Sequence, residues 1–408
     1  MAIIRPFKAY MPAKGLENKI AALPYDVYNR EESVEVVKNN PDSFLRIDRA
    51  ETNFDMSVDT YAPEVYMKAK ELITGWIEEG RFVQSDKPCF YIYQEIMDGR
   101  PQTGIVGCAA VKDYENNIIK KHENTLAAKE QDRISHISTT NMQTGPIFLA
   151  FRSNVTIDSF LKKVTDATPY FDFVSEDSVG HKVWVVDSEA DIDFLVSEFS
   201  NMNAIYIADG HHRCASACKV GAARHEDGMD KESDYFLSVL FPENQLKIMD
   251  YNRVVKDLNG YDVAEFLEEL ETYYHIGGSD IPVKPAKKGQ CGMYLDGNWY
   301  SLELKSEWID DDPVSGLDVS ILQKYVLDGM LDIKDPKTDS RIGFVGGIRG
   351  LEELEKRCND DCVVAFAMYP TDILELFAVA DAGRLMPPKS TWFEPKLRSG
   401  LFLHDIND

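Results

Sequence analysis

The stretch Asn203–Gly221, NAIYIADGHHRCASACKVG, places an acid, two imidazoles and a guanidinium at the end of an apolar run. The run before Asp209 predicts a buried strand. Gly210 permits a tight bend that a side chain would obstruct. A helix then starts near His211, and Ala215 and Ala217 let it lie close to a sheet or a ligand. In such a strand–turn–helix the first helical N–H groups face the bend and attract anions. Arg213 adds a planar fork matched to two phosphate oxygens. Asp209, Gly210, His211, His212 and Arg213 are therefore candidate phosphate or nucleotide contacts. His211 and His212 are adjacent on a helix and point in different directions, which disfavours both binding one ion.

Outward from this stretch the pattern alternates strands with helices, which gives an α/β or α+β class with mixed sheets. Upstream, NPDSFLRIDR reads as a turn and a short alternating strand. YAPEVYMKAKELITGWIEEG reads as a helix closed by Gly80, and PCFYIYQEIM and TGIVGCAAVKDY as strands joined by the DGRPQTG turn. Residues 120–146 are polar and part helical, and IFLAF at 147–151 is a strand. Downstream, YFLSVLF and LKIMDYNRVV are strand-like, YDVAEFLEELETYYHIGG is a helix ended by its glycine pair, and QCGMYLDGNWYSLEL is a hairpin turning at Asp296-Gly297. Three regions are expected: 1–100, an N-terminal α/β part contributing to the site; 101–240, the central region; and 241–408, a C-terminal α/β part.

The chain has 408 residues and is 44% apolar, enough for more than one core. Asp and Glu number 69 against 44 Lys and Arg, a formal charge of −25. That field repels nucleic acid and anionic membranes. There is no apolar stretch long enough to span a bilayer and no signal-peptide pattern at the start, so a cytoplasmic protein without a membrane partner is expected. The seven cysteines are scattered and odd in number. Cys214 and Cys218 share a helix face beside two histidines, but they form no C-x-x-C, and no metal is assigned firmly. Nothing in the pattern fixes an oligomeric state.

Three further clusters carry candidate binding residues. Arg5 in RPFKAY, and Tyr25 and Asp26 in LPYDVYN, sit in loop-like segments that suit a small-molecule substrate. An Asx turn at Asp26 that serves its own backbone is the alternative. KEQDR supplies Arg133 as a phosphate or carboxylate clamp, or simply as a helical partner of Glu130. MPPKSTWFEPK presents Lys389 and Ser390 after a stiff proline pair. It lacks the glycines of a phosphate-binding P-loop.

DGHHR followed by small residues resembles the nucleotide-binding signature of the ParB/sulfiredoxin-like superfamily, which includes partition proteins, sulfiredoxin and the archaeal free-serine kinases. In the serine kinases a His-Glu pair precedes the Arg motif, and its Glu acts as base on the serine hydroxyl. Here KKHENT supplies His122 and Glu123. By that resemblance Glu123 is the base, with His122 and Asp209 beside it in the catalytic set. Across residues 3 to about 403, IRPFKAY, LPYDVYN, NPDSFLRIDR, KKHENT, KEQDR, MQTGPIF, IADGHHR, LKIMDYNRVV and MPPKSTWFEPKLRSGL resemble the blocks of a bacterial family, domain of unknown function 1015. The resemblances imply a nucleotide-dependent phosphotransferase acting on a small hydroxyl compound, with free serine the first candidate. ATP or ADP with Mg²⁺ would serve as its cofactor. The alternatives are a phosphatase or other hydrolase using the same anion pocket, and a ParB-like nucleotide-binding regulator without catalysis.

Overall fold

The computed structural model describes residues 1–407. The chain divides into two compact units, one made of residues 1–246 and 395–408, the other of residues 247–394. Residues 1–100 and 101–240, read from sequence as separate regions, contribute strands to one sheet of the first unit. The chain also returns to that unit after residue 394.

The first unit is built on a nine-stranded sheet. Its strands are β1 (Ile4–Arg5), β2 (Phe90–Met97), β3 (Arg100–Ala110), β4 (Ile119–Lys120), β5 (Ile147–Phe151), β6 (Phe171–Val174), β7 (Gly180–Val186), β8 (Ile205–Asp209) and β9 (Tyr235–Pro242). They lie in the order β4-β8-β5-β9-β3-β2-β7-β6, and β1 also pairs with β3. The β4–β8 and β5–β9 pairs are parallel, and the other pairs are antiparallel, so the sheet is mixed. The β2–β3 hairpin turns on two residues, Asp98 and Gly99, both at positive φ (53° and 76°). This is tighter than the DGRPQTG turn expected, because two left-handed residues in sequence match the twist of the flanking strands.

The principal helices of this unit are α1 (Pro63–Glu78), α2 (Ala127–Thr140), α3 (Val155–Thr165), α4 (Glu189–Ser200) and α5 (His211–Arg224). One core gathers strand residues such as Phe90, Ile105, Leu149, Phe151, Ile205, Ile207 and Phe236 with Ile157 and Phe160 of α3, Leu195 and Phe199 of α4, and Cys214, Ala217 and Cys218 of α5. A second core lies around α1, whose Val65, Ala69, Leu72 and Trp76 recur at helical spacing and meet Phe44, Leu45 and Ile47. Leu45–Asp48 is a helical turn, not the strand expected. A strand would send Phe44 and Leu45 to opposite faces, whereas both, with Ile47, enter this core.

The second unit holds a six-stranded, fully antiparallel sheet: β10 (Tyr251–Val255), β11 (Tyr274–Ser279), β12 (Gln290–Leu295), β13 (Asn298–Leu304), β14 (Ile342–Gly346) and β15 (Val364–Met368), in the order β11-β13-β12-β15-β10-β14. The helix expected to run to the Gly277-Gly278 pair stops at Leu270, and Tyr274–Ser279 pairs with β13 instead. Thr272, Tyr273, Tyr274 and Ile276 favour the pleated surface over a helix. Among the described residues no helix is long and apolar enough to cross a membrane.

Close packing of α5 rests on Gly221. A Cβ there would press into the Ser233 carbonyl oxygen and lie 2.9 Å from Val111 Cγ2. The obstacle is backbone, so Gly221→Ala is expected to destabilise the protein by about 1–3 kcal/mol, measured by urea denaturation. An unchanged midpoint would show that the helix can shift away freely.

Candidate functional site

The site is assembled at the ends of β4 and β8. These neighbours run parallel, with Ile119 opposite Ile205 and Lys120 opposite Tyr206. Their carboxyl ends therefore open at the same place. From β4 the chain passes into the 121–126 loop and then α2. From β8 it turns at Gly210 into α5. Gly210 takes φ 88°, a left-handed conformation open to glycine, and as the N-cap residue it offers no side-chain cap to the start of α5. The Arg213 guanidinium folds back over this bend, so a Cβ on Gly210 would sit 3.2 Å from its Nε. Arg213 Nη1 donates to the Pro146 carbonyl at 2.9 Å, which fixes the fork beside the amides of the helix start.

Asp209 ends β8 with both oxygens engaged. Oδ1 accepts from the Gly210 N–H at 2.8 Å, and Oδ2 pairs with Lys396 Nζ at 2.8 Å. Burial alone would raise this carboxyl, but Lys396 and Arg213 outweigh it and hold the group well below the ordinary carboxylate range. Such a carboxylate is a poor proton acceptor, which counts against the catalytic role expected of Asp209. Lys396 was not singled out in the sequence; it sits within WFEPKLRSG, where nothing local links it to a residue nearly two hundred positions away.

The two histidines of the motif do point apart, and each reaches back to the 121–126 loop. His211 Nε2 faces the His122 amide at 3.4 Å, and its Nδ1 stands 4.0 Å from Glu123 Oε2. His212 Nε2 accepts from the Leu126 N–H at 3.0 Å. The rings of His122 and His211 meet edge to face with centroids 4.4 Å apart. Burial lowers the His122 imidazole to about 4, against a weaker opposing hydrogen bond to the Ile207 carbonyl. Burial first, then His122, pushes His211 well below its ordinary value. Burial, with Lys129 adding to it, also lowers His212. Both rings that face each other are therefore neutral near pH 7.

A cleft of about 180 Å³ opens along α2, lined by Tyr25, Asp26, Asp48, Arg49, Glu51, Lys129, Asp132, Arg133 and their neighbours. Tyr25, Asp48, Arg133 and His136 also line a smaller cavity of about 30 Å³ that Thr144, Gly145 and Arg213 border. The cleft and the smaller cavity share these four wall residues, and Arg213 of α5 borders the smaller one. The buried stripe of α2 is polar: Glu130, Arg133, His136 and Thr140 accompany Ile137. Arg133 is buried yet firmly charged. Burial would lower its guanidinium, but Asp132, Tyr25 and Asp48 raise it above the ordinary arginine range. It bonds Asp132 at 2.8 Å and lies 4.0 Å over the Tyr25 ring. Burial pushes the Tyr25 phenol up to about 12, with Arg133 opposing.

The structure brings Asp209–Arg213, His122, Glu123, Tyr25, Asp26 and Arg133 into this one region of the first unit. Arg5 is not among the residues lining it. Its guanidinium bonds Glu232 at 2.6 Å and stacks 3.6 Å over Tyr235. Lys389 and Ser390 belong to the second unit, where Ser390 Oγ donates to the Pro387 carbonyl at 2.7 Å and Thr371 Oγ1 to the Ser390 carbonyl at 2.9 Å. Cys214 and Cys218 are buried thiols within the core beneath α5. KEQDR offers Lys129 and Asp132 beside Arg133, whereas sequence reasoning passed over Asp48 and Thr144. Thr144 Oγ1 donates to Asp48 Oδ1 at 2.7 Å, a contact between segments that no local pattern announces.

A family model described as protein of unknown function, DUF1015, matches residues 4–320. No curated protein matches the chain significantly. Solved structures with loose similarity include a free serine kinase in complex with AMP, at 14% identity over 68% of this chain and 84% of that one, with a TM-score of 0.36. SbnI with a C-terminal truncation from Staphylococcus aureus matches at 12% identity over 72% and 85%, with a TM-score of 0.37. A conserved hypothetical protein from Pyrococcus furiosus matches at 15% identity over 69% and 90%, with a TM-score of 0.33. Likenesses of this degree are too loose to assign an activity.

The Asp209–Lys396 pair makes a pH-dependent contribution to stability. A folded carboxyl held below the unfolded value of about 3.9 stabilises the fold above about pH 4. That contribution fades as the pH falls further. Lys396→Met is therefore expected to lower stability clearly at pH 7 and to differ less from the parent at pH 3. Urea denaturation at the two pH values measures this, and an equal gap at both would remove the pair from the account.

Proposed function

The chain belongs to the DUF1015 family, and we propose that it is a nucleotide-dependent phosphotransferase acting on a small hydroxyl compound, with free serine the first substrate to test. The observation that carries this reading is the start of α5 with Arg213 folded over Gly210, where Arg213 borders a small cavity that shares walls with a polar cleft. Phosphoryl transfer asks a protein for two things: donors for the phosphoryl oxygens and an oriented nucleophile. The amides of His211 and His212, the Arg213 fork and Lys396 supply the first. The cleft supplies the second, because its walls carry carboxylates and cations together and so match a small zwitterion with an ammonium and a carboxylate.

ATP or ADP is the proposed donor. Mg²⁺ neutralises phosphate charge in such transfers and prefers oxygen ligands with several waters. Asp209 is already engaged by Lys396, so the helix start forms no all-oxygen pocket. The ion would arrive on the nucleotide rather than be caged by side chains.

As the hydroxyl oxygen bonds to phosphorus, its proton must leave to a base. Two carboxylates are the candidates for that base: Glu123, beside His211, and Asp26, exposed on the wall of the cleft. Phosphorus NMR of the protein with ATP or ADP and serine is expected to show phosphoserine forming as the nucleotide loses its terminal phosphate. Release of inorganic phosphate without phosphoserine would make the protein a hydrolase. Nucleotide binding with no turnover of any hydroxyl compound would make it a regulator.

Arg213→Ala is expected to weaken nucleotide binding by about tenfold or more, the scale of a lost charge-assisted hydrogen bond of about 1.5–3 kcal/mol, with little change in melting temperature. Calorimetry decides it, and equal affinity would take the anion seat away from this helix. Replacing the base, by Glu123→Gln or Asp26→Asn, is expected to cut turnover by roughly 10²–10⁴-fold with nucleotide affinity nearly kept. If neither variant slows turnover, neither carboxylate is the base.

A further inference from the structure

We infer that His122, Glu123 and His211 form a binding site for one divalent transition-metal ion, Zn²⁺ first among them. One candidate ligand atom from each residue lies within 4.8 Å of the other two. Glu123 Oε2 and His211 Nδ1 are 4.0 Å apart. The site is one that the Cys214/Cys218 face does not share.

The second observation is the state of His122. Its ring is buried, with 2% exposure. One ring nitrogen bonds the Ile207 carbonyl, while Nδ1 is buried with no hydrogen-bond partner among the described residues. A backbone carbonyl that takes the proton of one imidazole nitrogen fixes the tautomer and leaves the lone pair on the other, the arrangement that supports histidine ligands of metals. A buried lone pair with no donor facing it otherwise calls for an explanation. A cation between the two rings and the carboxylate supplies one.

The geometry can close on an ion. Bonds of about 2.0–2.2 Å to each ligand require the three atoms to draw together. His122 is held in place by Ile207, so the movement falls to the other two. The Glu123 side chain is 41% exposed and can swing inward. The His122 amide donates to His211 Nε2 at 3.4 Å, which puts the proton of the neutral ring on Nδ1; ligation through Nδ1 moves that proton to Nε2 and gives up this long contact. Two imidazoles and one carboxylate suit Zn²⁺ or its first-row neighbours rather than Mg²⁺ or Ca²⁺, which prefer oxygen. Three protein ligands leave at least one position open, the pattern of a reactive rather than a purely structural site.

His211 is also the first residue of α5, so the ion would stand at the same helix start as Arg213 and share the charge of a bound phosphate. This inference does not rest on the phosphotransferase reading. With the ion bound, Glu123 is a ligand, and Asp26 is the carboxylate left for the substrate proton.

The test uses the full-length, tag-free protein, stripped with EDTA and titrated without nucleotide, so that it stands or falls apart from phosphotransfer. Calorimetry is expected to show one equivalent of Zn²⁺ bound per chain and no binding of Mg²⁺ at the same concentration. His211→Ala and Glu123→Gln should each weaken Zn²⁺ by at least the roughly 10–100-fold known for lost supporting partners, while Cys214→Ser leaves it unchanged. Co²⁺ in place of Zn²⁺ should give visible absorption without a thiolate charge-transfer band. Absence of stoichiometric Zn²⁺ binding, unaltered affinity in His211→Ala, or a thiolate band would each overturn the assignment. Circular dichroism checks folding, and His211→Gln replaces His211→Ala if the latter does not fold.

Discussion

The short parallel pairing of β4 with β8 is the constraint on which the rest of the site depends. It consists of two paired positions, Ile119 with Ile205 and Lys120 with Tyr206. Because the strands run the same way, the loop after one and the bend after the other emerge side by side. That is why His122 meets His211 across 89 positions of sequence. It is also why α2 lies along α5, with Ser216 Oγ donating to the Glu130 carbonyl at 3.0 Å. An antiparallel pair would have sent the two motifs to opposite ends of the sheet. Outside the carboxyl ends of parallel strands is also where open sheets place their ligands.

Charge at this junction, buried at Arg133 and partly buried at Asp209, is met both by a sequence neighbour and by distant segments. Arg133 depends on Asp132 and the Tyr25 ring, and Asp209 depends on Lys396. Removing one member of a buried pair costs more than the pair itself contributes, because the other charge is left without compensation. Lys396 belongs to the returning segment 395–408 of the first unit. That segment is itself tied down: Arg398 pairs with Asp177 at 2.5 Å, and His404 Nδ1 lies 3.0 Å from Gln143 Oε1. His404 and Asp405 pair with Gln143 and Met142, just ahead of the Thr144–Pro146 stretch that receives Arg213. The last residues of the chain therefore brace the wall against which the Arg213 fork is set.

Much of the architecture near the site was legible from local signals. The change from AIYIA to DGHHR announced strand, bend and helix, because an apolar run, a glycine and a line of small residues each limit the backbone in their own way. The α1 helix followed from Leu72 and Trp76 at helical spacing with Gly80 behind them, and the 290–304 hairpin from Asp296-Gly297. Where the reading failed, several forms competed over a short span. FLRID alternates for too few residues to exclude a helical turn, and TYYHIGG continues a helical pattern while its side chains prefer a strand. Arg5, read as a substrate contact from its loop-like segment, lies outside the lining of the cleft. In the fold its charge is met by Glu232 and Asp230.

By itself the sequence determined the strand–bend–helix at Asp209–Arg213 and the acidic balance of the chain. It also set the divergence of His211 and His212, since adjacent helical positions cannot face one way. These are properties of composition and of a few consecutive dihedral angles. Only the tertiary structure decided what meets what: Lys396 on Asp209, Arg133 against Tyr25 and Asp48, and His122 and Glu123 beside His211. It also decided that a chain read as three regions folds as a discontinuous first unit and an inserted second. Such contacts depend on strand direction and on where the chain re-enters the fold. Neither leaves a trace in the residues on either side, because the energy that selects them comes from burying surfaces that are distant in sequence.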